Sequence, residues 1–357
     1  MIDASHLHRF DPVLLDLGLL KIRWYGLSYL TGFLIAGLIL YALGRKGRVL
    51  VPPRHAVDAI LIFVFGVVVG GRLGYVLFYD PAMIATFTSD FPYWGLLAIQ
   101  KGGMASHGGM AGVLLAAWWI SRGFAQEDGT RIGQAPAFHI ADLSCLIAVP
   151  GLVLGRIANF ANGELLGRVV AAPGEPGPWW AFRFPQELTS EHAPKLSPAQ
   201  GQHLFDLIDK VRVNDEKDGP ALDRLIHTIQ SKSSAAASEL ATQLTPLLSA
   251  RHPSQLYQAV AEGIVVGGLL WLLWARPQKP GVITAAFLLM YGVLRILVEQ
   301  YWRLPDPQLK TQYILGLTRG QLLSVGMLAV GAGLLVWAIR RPGPTFSWRK
   351  PISINQP

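Results

Sequence analysis

Seven apolar stretches recur along the chain, at residues 24–43, 57–79, 105–122, 137–160, 258–275, 281–301 and 320–339. Each approaches the roughly 20 residues that an α-helix needs to cross a bilayer. The third and fourth are the most interrupted, by glycines and polar residues. Between the fourth and fifth lies a polar segment, 164–256, whose apolar residues return at helical spacing. There Ser197 before Pro198 reads as a helix start, with Leu204, Phe205, Leu207, Ile208 and Val211 on one face. A second helix is expected from Pro220, with Leu222, Leu225, Ile226 and Ile229 on one side. The serine and alanine run 233–238 fits a break or a helix surface equally.

Charge orients this pattern. Arg45, Lys46, Arg48 and Arg54 follow the first stretch, Arg122 and Arg131 the third, Arg276 and Lys279 the fifth, and Arg340, Arg341, Arg349 and Lys350 the seventh. Every second loop is basic, so the positive-inside rule puts the N-terminus outside and the C-terminus in the cytoplasm. The expected fold is an all-α polytopic membrane protein of about seven spans with a small extracytoplasmic head. Residues 1–163 would carry four spans, 164–256 the head and 257–357 the last three.

Composition agrees, with 51% hydrophobic and 15% charged residues and eleven tryptophans. A formal net charge of +8 fits the Lys/Arg excess of cytoplasmic loops, and no nucleic-acid partner is expected. Cys145 is the single cysteine, which excludes an intramolecular disulfide and a cysteine-built metal site. The first twelve residues lack a basic n-region and a cleavage site, so the first apolar stretch is expected to stay in the protein.

Polar residues inside the spans carry the candidate chemistry. GRIANFANGELLGR, from Gly155 to Arg168, closes the fourth stretch with two arginines, two asparagines and a glutamate. A charge at bilayer depth costs roughly 2.5–3.5 kcal/mol on insertion scales, so Arg156 needs a function or a partner. On a helix, Arg156 and Asn159 share a face that Asn162 and Gly163 extend. In YGVLRILVEQYWR the residues Tyr291, Arg295 and Glu299 recur every fourth position. Arg295 and Glu299 could form a mere intrahelical pair, or Arg295 could join Arg156 on one phosphate. In GGRLGYVLFY, Arg72 reads either as a snorkelling residue in a glycine packing seam or as a site residue. His107, in GGMASHGGMAG, reads as a structural histidine or a functional one with equal force. His139 and Asp142, three apart, are expected to pair.

The sequence holds no HExxH, GxSxG or Walker A motif, and no metal or cofactor is expected. A lipid transporter would also place arginines at membrane depth, but no inverted repeat is visible. HGGMAG at His107, GRIANFANGELLGR at Gly155, HPSQLY at His252 and YGVLRILVE at Tyr291 together resemble the bacterial prolipoprotein diacylglyceryl transferases. RWYGLSYL at Arg23 and GGRLGYVLFY at Gly70 fit the same family, and the resemblance runs from about Trp24 to Arg341. Residues 190–250 depart from it, being longer and more helical.

That resemblance implies an enzyme of the bacterial inner membrane with its active face extracytoplasmic. It would transfer the diacylglyceryl group of phosphatidylglycerol to the lipobox cysteine of a prolipoprotein signal peptide. A thioether forms and glycerol 1-phosphate leaves. Arg156 and Arg295 would bind the phosphate and stabilise the leaving group, and His107 would take the thiol proton. Tyr25, Asn159, Glu164, Gly167, Tyr291 and Glu299 would orient the headgroup and the arginines, with Arg72 as a further substrate-binding candidate.

Overall fold

The computed structural model describes residues 3–18, 21–89, 92–98, 103–214, 216–231, 234–305, 313–314 and 316–352, without the side chains of Ser106, His107, Ser231, Ile314 and Arg319. In chain order the helices are α1 (Trp24–Arg45), α2 (Ala56–Phe78), α3 (Ser106–Ser121), α4 (Ala137–Ile147), α5 (Val149–Asn162), α6 (Pro198–Val211), α7 (Asp218–Ser231), α8 (Ala235–Leu244), α9 (Ser254–Gln258), α10 (Val266–Trp274), α11 (Val282–Tyr301) and α12 (Arg319–Arg340). A π-helical segment, Ala259–Val265, joins α9 to α10.

Six helical stretches among the described residues are long and apolar enough to cross a membrane: Trp24–Arg45, Pro53–Phe78, Ala137–Asn162, Ser254–Trp274, Val282–Tyr301 and Gly320–Arg340. The chain is a multi-pass membrane protein. The third apolar stretch folds as α3, whose 16 residues cover only about 24 Å at 1.5 Å each, short of the roughly 30 Å hydrocarbon core. Among the described residues, the seven expected apolar stretches thus form six helices of full spanning length and one short apolar helix. On α2, Val57, Leu61 and Phe65 recur every fourth residue and stand 60–70% exposed, the lipid-facing row of a membrane helix.

The chain divides into two compact units. The first comprises Met1–Leu30, Leu152–Val265 and Tyr291–Gly326. It holds a four-stranded sheet in the order His6–Leu7, Phe182–Arg183, Ala250–Arg251, Val169–Ala171. The first pair is parallel and the others are antiparallel. These strands are two or three residues long, too short to show a period of two, so the mostly helical fold carries a sheet that the sequence pattern did not announce. The helices of the polar segment form as expected. Ser197 and Gln200 close a reciprocal capping box on α6. Leu207 and Ile208 pack with Leu225 and Ile229 of α7 and Leu244 after them. Phe205, placed on the apolar face from sequence, is half exposed. Ser234 caps α8 and resolves the serine and alanine run as helix from Ala235.

The second unit comprises Thr31–Gly151, Val266–Met290 and Met327–Pro357. Its α2 and α3 touch backbone to backbone. A Cβ on Gly112 would fall 1.9 Å from the Gly66 carbonyl oxygen, and one on Gly70 would fall 2.3 Å from that of Gly108. The glycines around His107 thus serve, at least in part, to seat α3 on α2. Asp142 does not take His139 as its partner. It accepts hydrogen bonds from the Gly281 N–H (2.8 Å) and from the N–H and hydroxyl of Thr284 (both 2.7 Å), satisfying donors at the start of α11. His139 stacks on Phe346 instead, with ring centroids 4.0 Å apart.

Candidate functional site

The first unit gathers most of the polar residues singled out from sequence. Arg156 lies on α5, where Nη2 donates to Glu262 Oε2 at 3.0 Å and to the Tyr291 hydroxyl at 3.4 Å. Arg295, one turn along α11 from Tyr291, approaches the same carboxylate, with Nη1 3.7 Å from Glu262 Oε1. Its Nη2 stands 3.4 Å from Glu299 Oε2. Glu262 is 1% exposed and also accepts from Gln258 Nε2 at 2.9 Å. Two guanidiniums therefore converge on one buried carboxylate, and each charge is offset where an isolated one would be costly.

Local structure explains how Glu262 reaches that place. It lies in the π-helical segment, whose extra residue per turn shifts side chains off the α-helical face. The next residue is Gly263, where a Cβ would sit 2.4 Å from Val153 Cγ2 on α5. Glycine there lets the segment close on the helix that carries Arg156. Glu299 is held comparably, since Thr318 Oγ1 donates to its Oε1 and a Cβ on Gly320 would fall 2.4 Å from its Oε2. A carboxylate against the first turn of α12 meets the positive end of that helix. Arg295 thus pairs with Glu299, the first alternative weighed for it, and it also shares Glu262 with Arg156, a partner that neither alternative named.

A second polar chain runs beside this cluster. Asn159 Nδ2 donates to the Tyr25 hydroxyl at 3.0 Å and to Glu164 Oε2 at 3.3 Å, and Asn162 Nδ2 donates to Glu164 Oε1 at 3.1 Å. Gly167 contributes close backbone approach, since a Cβ there would lie 2.1 Å from the His252 carbonyl oxygen. Its own carbonyl accepts from Arg251 Nη1 at 3.1 Å. Arg251 is buried, donates through Nε to Glu187 Oε2 at 2.5 Å and through Nη2 to the His192 carbonyl at 2.8 Å. Burial pushes the Glu187 carboxyl up from its ordinary range, and the Arg251 charge opposes that rise. This pair ties the loop before α6 to the end of the Gly155–Arg168 motif.

Arg72 and His107 belong to the second unit. Arg72 is 3% exposed and donates to four backbone carbonyls of one loop: Leu96 (2.8 Å), Gly103 (2.9 Å), Gly95 (2.6 Å) and Ala98 (3.3 Å). It acts there as the pin of that loop. The His107 backbone lies in the first turn of α3, and its side chain is outside the described residues.

Glu262 is the residue that sequence reasoning missed. A signal existed, because a lone carboxylate stands in the apolar run 258–275, and an ionisable group at that depth marks a site by default.

These features define a multi-pass membrane protein with an intramembrane cluster of two arginines and two carboxylates. The chain belongs to the prolipoprotein diacylglyceryl transferase family, whose model matches residues 12–337. Similar proteins carry the name phosphatidylglycerol–prolipoprotein diacylglyceryl transferase. The one from Bdellovibrio bacteriovorus is 38% identical over 369 aligned residues, covering 98% of both chains. That from Pseudomonas fluorescens is 36% identical over 94% of this chain and 96% of its own. That from an Azoarcus species is 33% identical over 92% and 94%.

Proposed function

We propose that this chain transfers the diacylglyceryl group of phosphatidylglycerol to the lipobox cysteine thiol of a prolipoprotein signal peptide. The observation that carries the reading is the convergence of Arg156 and Arg295 on the Glu262 carboxylate. Guanidiniums that already share one oxyanion are oriented for another, and a phosphate matches their planar geometry. Hydrogen bonds from Arg156 to the described residues run through Nη2 alone, which leaves its other nitrogens for a ligand.

In this reaction the thiol sulfur bonds to the glyceryl carbon that carries the phosphate. The carbon–oxygen bond breaks, and its electron pair leaves on the phosphate oxygen of glycerol 1-phosphate. The leaving phosphate becomes a monoester and gains negative charge, so fixed positive groups in a low-dielectric site favour the transition state over the bound lipid. Tyr291 and Glu299 orient the arginines, and Tyr25, Asn159 and Glu164 face the headgroup. His107 is the candidate acceptor for the thiol proton, a role suited to an imidazole near neutral pH. Arg72, a substrate-binding candidate from sequence, holds backbone carbonyls at Gly95, Leu96, Ala98 and Gly103 of the second unit.

In this reading the site faces the extracytoplasmic side of a bacterial cytoplasmic membrane, and the basic residues of alternate loops support that orientation. Residues 164–256 form the head on that side.

The test is incubation of the purified protein with phosphatidylglycerol and a lipobox peptide, read by mass. A peptide gaining the diacylglyceryl thioether, with glycerol 1-phosphate released, is the expected result. Lipid that changes leaflet with no adduct on the peptide would favour a transporter instead.

A further inference from the structure

Residues 342–352, after α12, are tied down on the second unit as a strap. Phe346 and Gln278 exchange backbone hydrogen bonds at 2.8 and 2.9 Å. Ser347 Oγ donates to the Ala275 carbonyl and the Trp348 indole N–H to the Trp271 carbonyl, both at 3.0 Å, which satisfies acceptors at the end of α10. Further on, the Ile352 N–H donates to the Gly47 carbonyl at 2.7 Å, and Arg48 Nη1 donates to the Trp348 carbonyl. The strap therefore also holds the loop that follows α1. It lies past residues 12–337, which the family model matches, and the proposed reaction assigns it nothing.

This arrangement gathers positive charge. Residues 44–50 and 342–352 together hold five basic side chains, Arg45, Lys46, Arg48, Arg349 and Lys350, and no acidic one. Two of them share the indole of Trp348: the guanidinium carbons of Arg48 and Arg349 lie 5.9 and 5.3 Å from its ring centroid. Neither pairs with a carboxylate among the described residues, where Asp58 takes His55 as its partner at 2.7 Å. A guanidinium resting on an aromatic face keeps N–H groups along its edge, and that edge suits phosphate oxygens.

We propose that Arg48 and Arg349, set around Trp348, bind the phosphate of an anionic phospholipid in the cytoplasmic leaflet. The inference is independent of the transfer reading and uses only the orientation that the basic loops support. The surroundings select lipid over a soluble anion. On α1 the exposed Leu34, Leu38 and Tyr41 recur at helical spacing as a lipid-facing row. That row leads to Arg45, the last residue of α1, whose guanidinium carbon lies 6.0 Å from the Tyr41 ring centroid. The basic cluster thus begins where the apolar row ends, at the level of lipid headgroups. Aromatic rings beside arginines at the end of a span are the anchors of a membrane interface. The pairing recurs after α3 and α12, with Arg122 3.7 Å over Trp118 and Arg341 4.5 Å over Trp337. Among the described residues those rings carry one guanidinium each, whereas Trp348 carries two, which together can engage several oxygens of one phosphate. A zwitterionic choline headgroup brings a cation that this cluster repels, so the anionic lipid is favoured.

The experiment is native mass spectrometry of the purified full-length protein with phosphatidic acid, which is anionic and lacks the glycerol headgroup, and with phosphatidylcholine for comparison. Wild-type protein should retain phosphatidic acid in preference to phosphatidylcholine. Combining Arg48→Gln with Arg349→Gln should weaken the binding of one phosphatidic acid by roughly twentyfold, about fivefold for each basic residue at a charged membrane surface. Lysine at both positions should keep more of the binding than glutamine, because the charge survives. Equal retention of the two lipids by wild-type protein, or phosphatidic acid binding unchanged in the double glutamine variant, would overturn the site. Binding of inorganic phosphate with no phosphatidic acid retained would assign the cluster to soluble anions and also overturn it. Arg48 holds the strap through the Trp348 carbonyl, so should the double variant fold poorly, Arg349→Gln alone decides. The exposed guanidinium of Arg349 rests on the Trp348 ring outside the strap's hydrogen bonds. A loss of about fivefold is expected there, and no loss would count against the site.

Discussion

Arg156 and Glu262 stand 106 residues apart in sequence and meet at 3.0 Å, with the glutamate 1% exposed. Glu262 thereby balances a guanidinium that the bilayer would otherwise reject, while Arg295 approaches its other oxygen at 3.7 Å. The carboxylate occupies, between the two arginines, the kind of position that an anionic headgroup would claim.

Glu262→Gln removes that buried charge and leaves two partly buried guanidiniums short of a partner. Breaking a buried pair from one side costs about 3–5 kcal/mol. A lower melting temperature is expected, with partial recovery when phosphatidylglycerol supplies the missing anion. Thermal melts with phosphatidylglycerol and with a zwitterionic lipid check this. Equal recovery by both lipids would contradict an anion site.

Arg295→Gln should slow transfer by roughly 10²- to 10³-fold, the usual loss of one donor to a developing oxyanion. Adding Glu299→Gln should not restore it, because Arg295 faces Glu262 as well as Glu299. Rates of the single and double variants give the answer. Wild-type activity in the double variant would make Arg295 no more than the partner of Glu299.

Much of this site was legible before the structure. Arg156 with Asn159, and Tyr291 with Arg295 and Glu299, announced themselves by charge in apolar runs at helical spacing. Glu262 was equally visible as a lone acid, yet its meeting with Arg156 depends on a π-helical segment and on Gly263, and no spacing rule reports either. The sheet was hidden for another reason. Its strands, among them His6–Leu7 and Ala250–Arg251, are two or three residues long and distant in sequence. Asp142 has a partner chosen by tertiary structure, Thr284, where local spacing suggested His139.

The seam between α2 and α3 discriminates two neighbouring glycines. Gly112→Ala would drive its methyl to 1.9 Å from the Gly66 carbonyl oxygen, whereas at Gly109 the nearest atom, Val67 O, is 3.7 Å away. The first change should cost about 1–3 kcal/mol, typical of overpacking, and the second little. Detergent-stability measurements on both variants test this, and equal tolerance would show that the helices are not in close contact.

His8 makes the first unit acid-sensitive. Burial lowers its pKa from 6.5 to about 4, and the ring bonds the Phe160 carbonyl oxygen at 2.6 Å. In the unfolded chain the ring gains its proton near pH 6.5, while in the folded chain it stays neutral until about pH 4. The stabilising contribution is therefore complete above pH 6.5 and is lost as pH falls towards 4, by about 3 kcal/mol in all. His8→Leu should flatten that part of the stability–pH curve, and an unchanged slope would exclude His8 as its source.

The most direct measurement is the rate of thioether formation by folded, purified Arg156 variants, with phosphatidylglycerol binding measured alongside. Arg156→Gln should lower the rate by roughly 10²- to 10³-fold. Arg156→Lys should recover only part of it, because an ammonium keeps the charge but loses the planar two-pronged grip on phosphate. A folded Arg156→Gln protein that binds the lipid and transfers at the wild-type rate would contradict the assignment of this arginine pair to the phosphate.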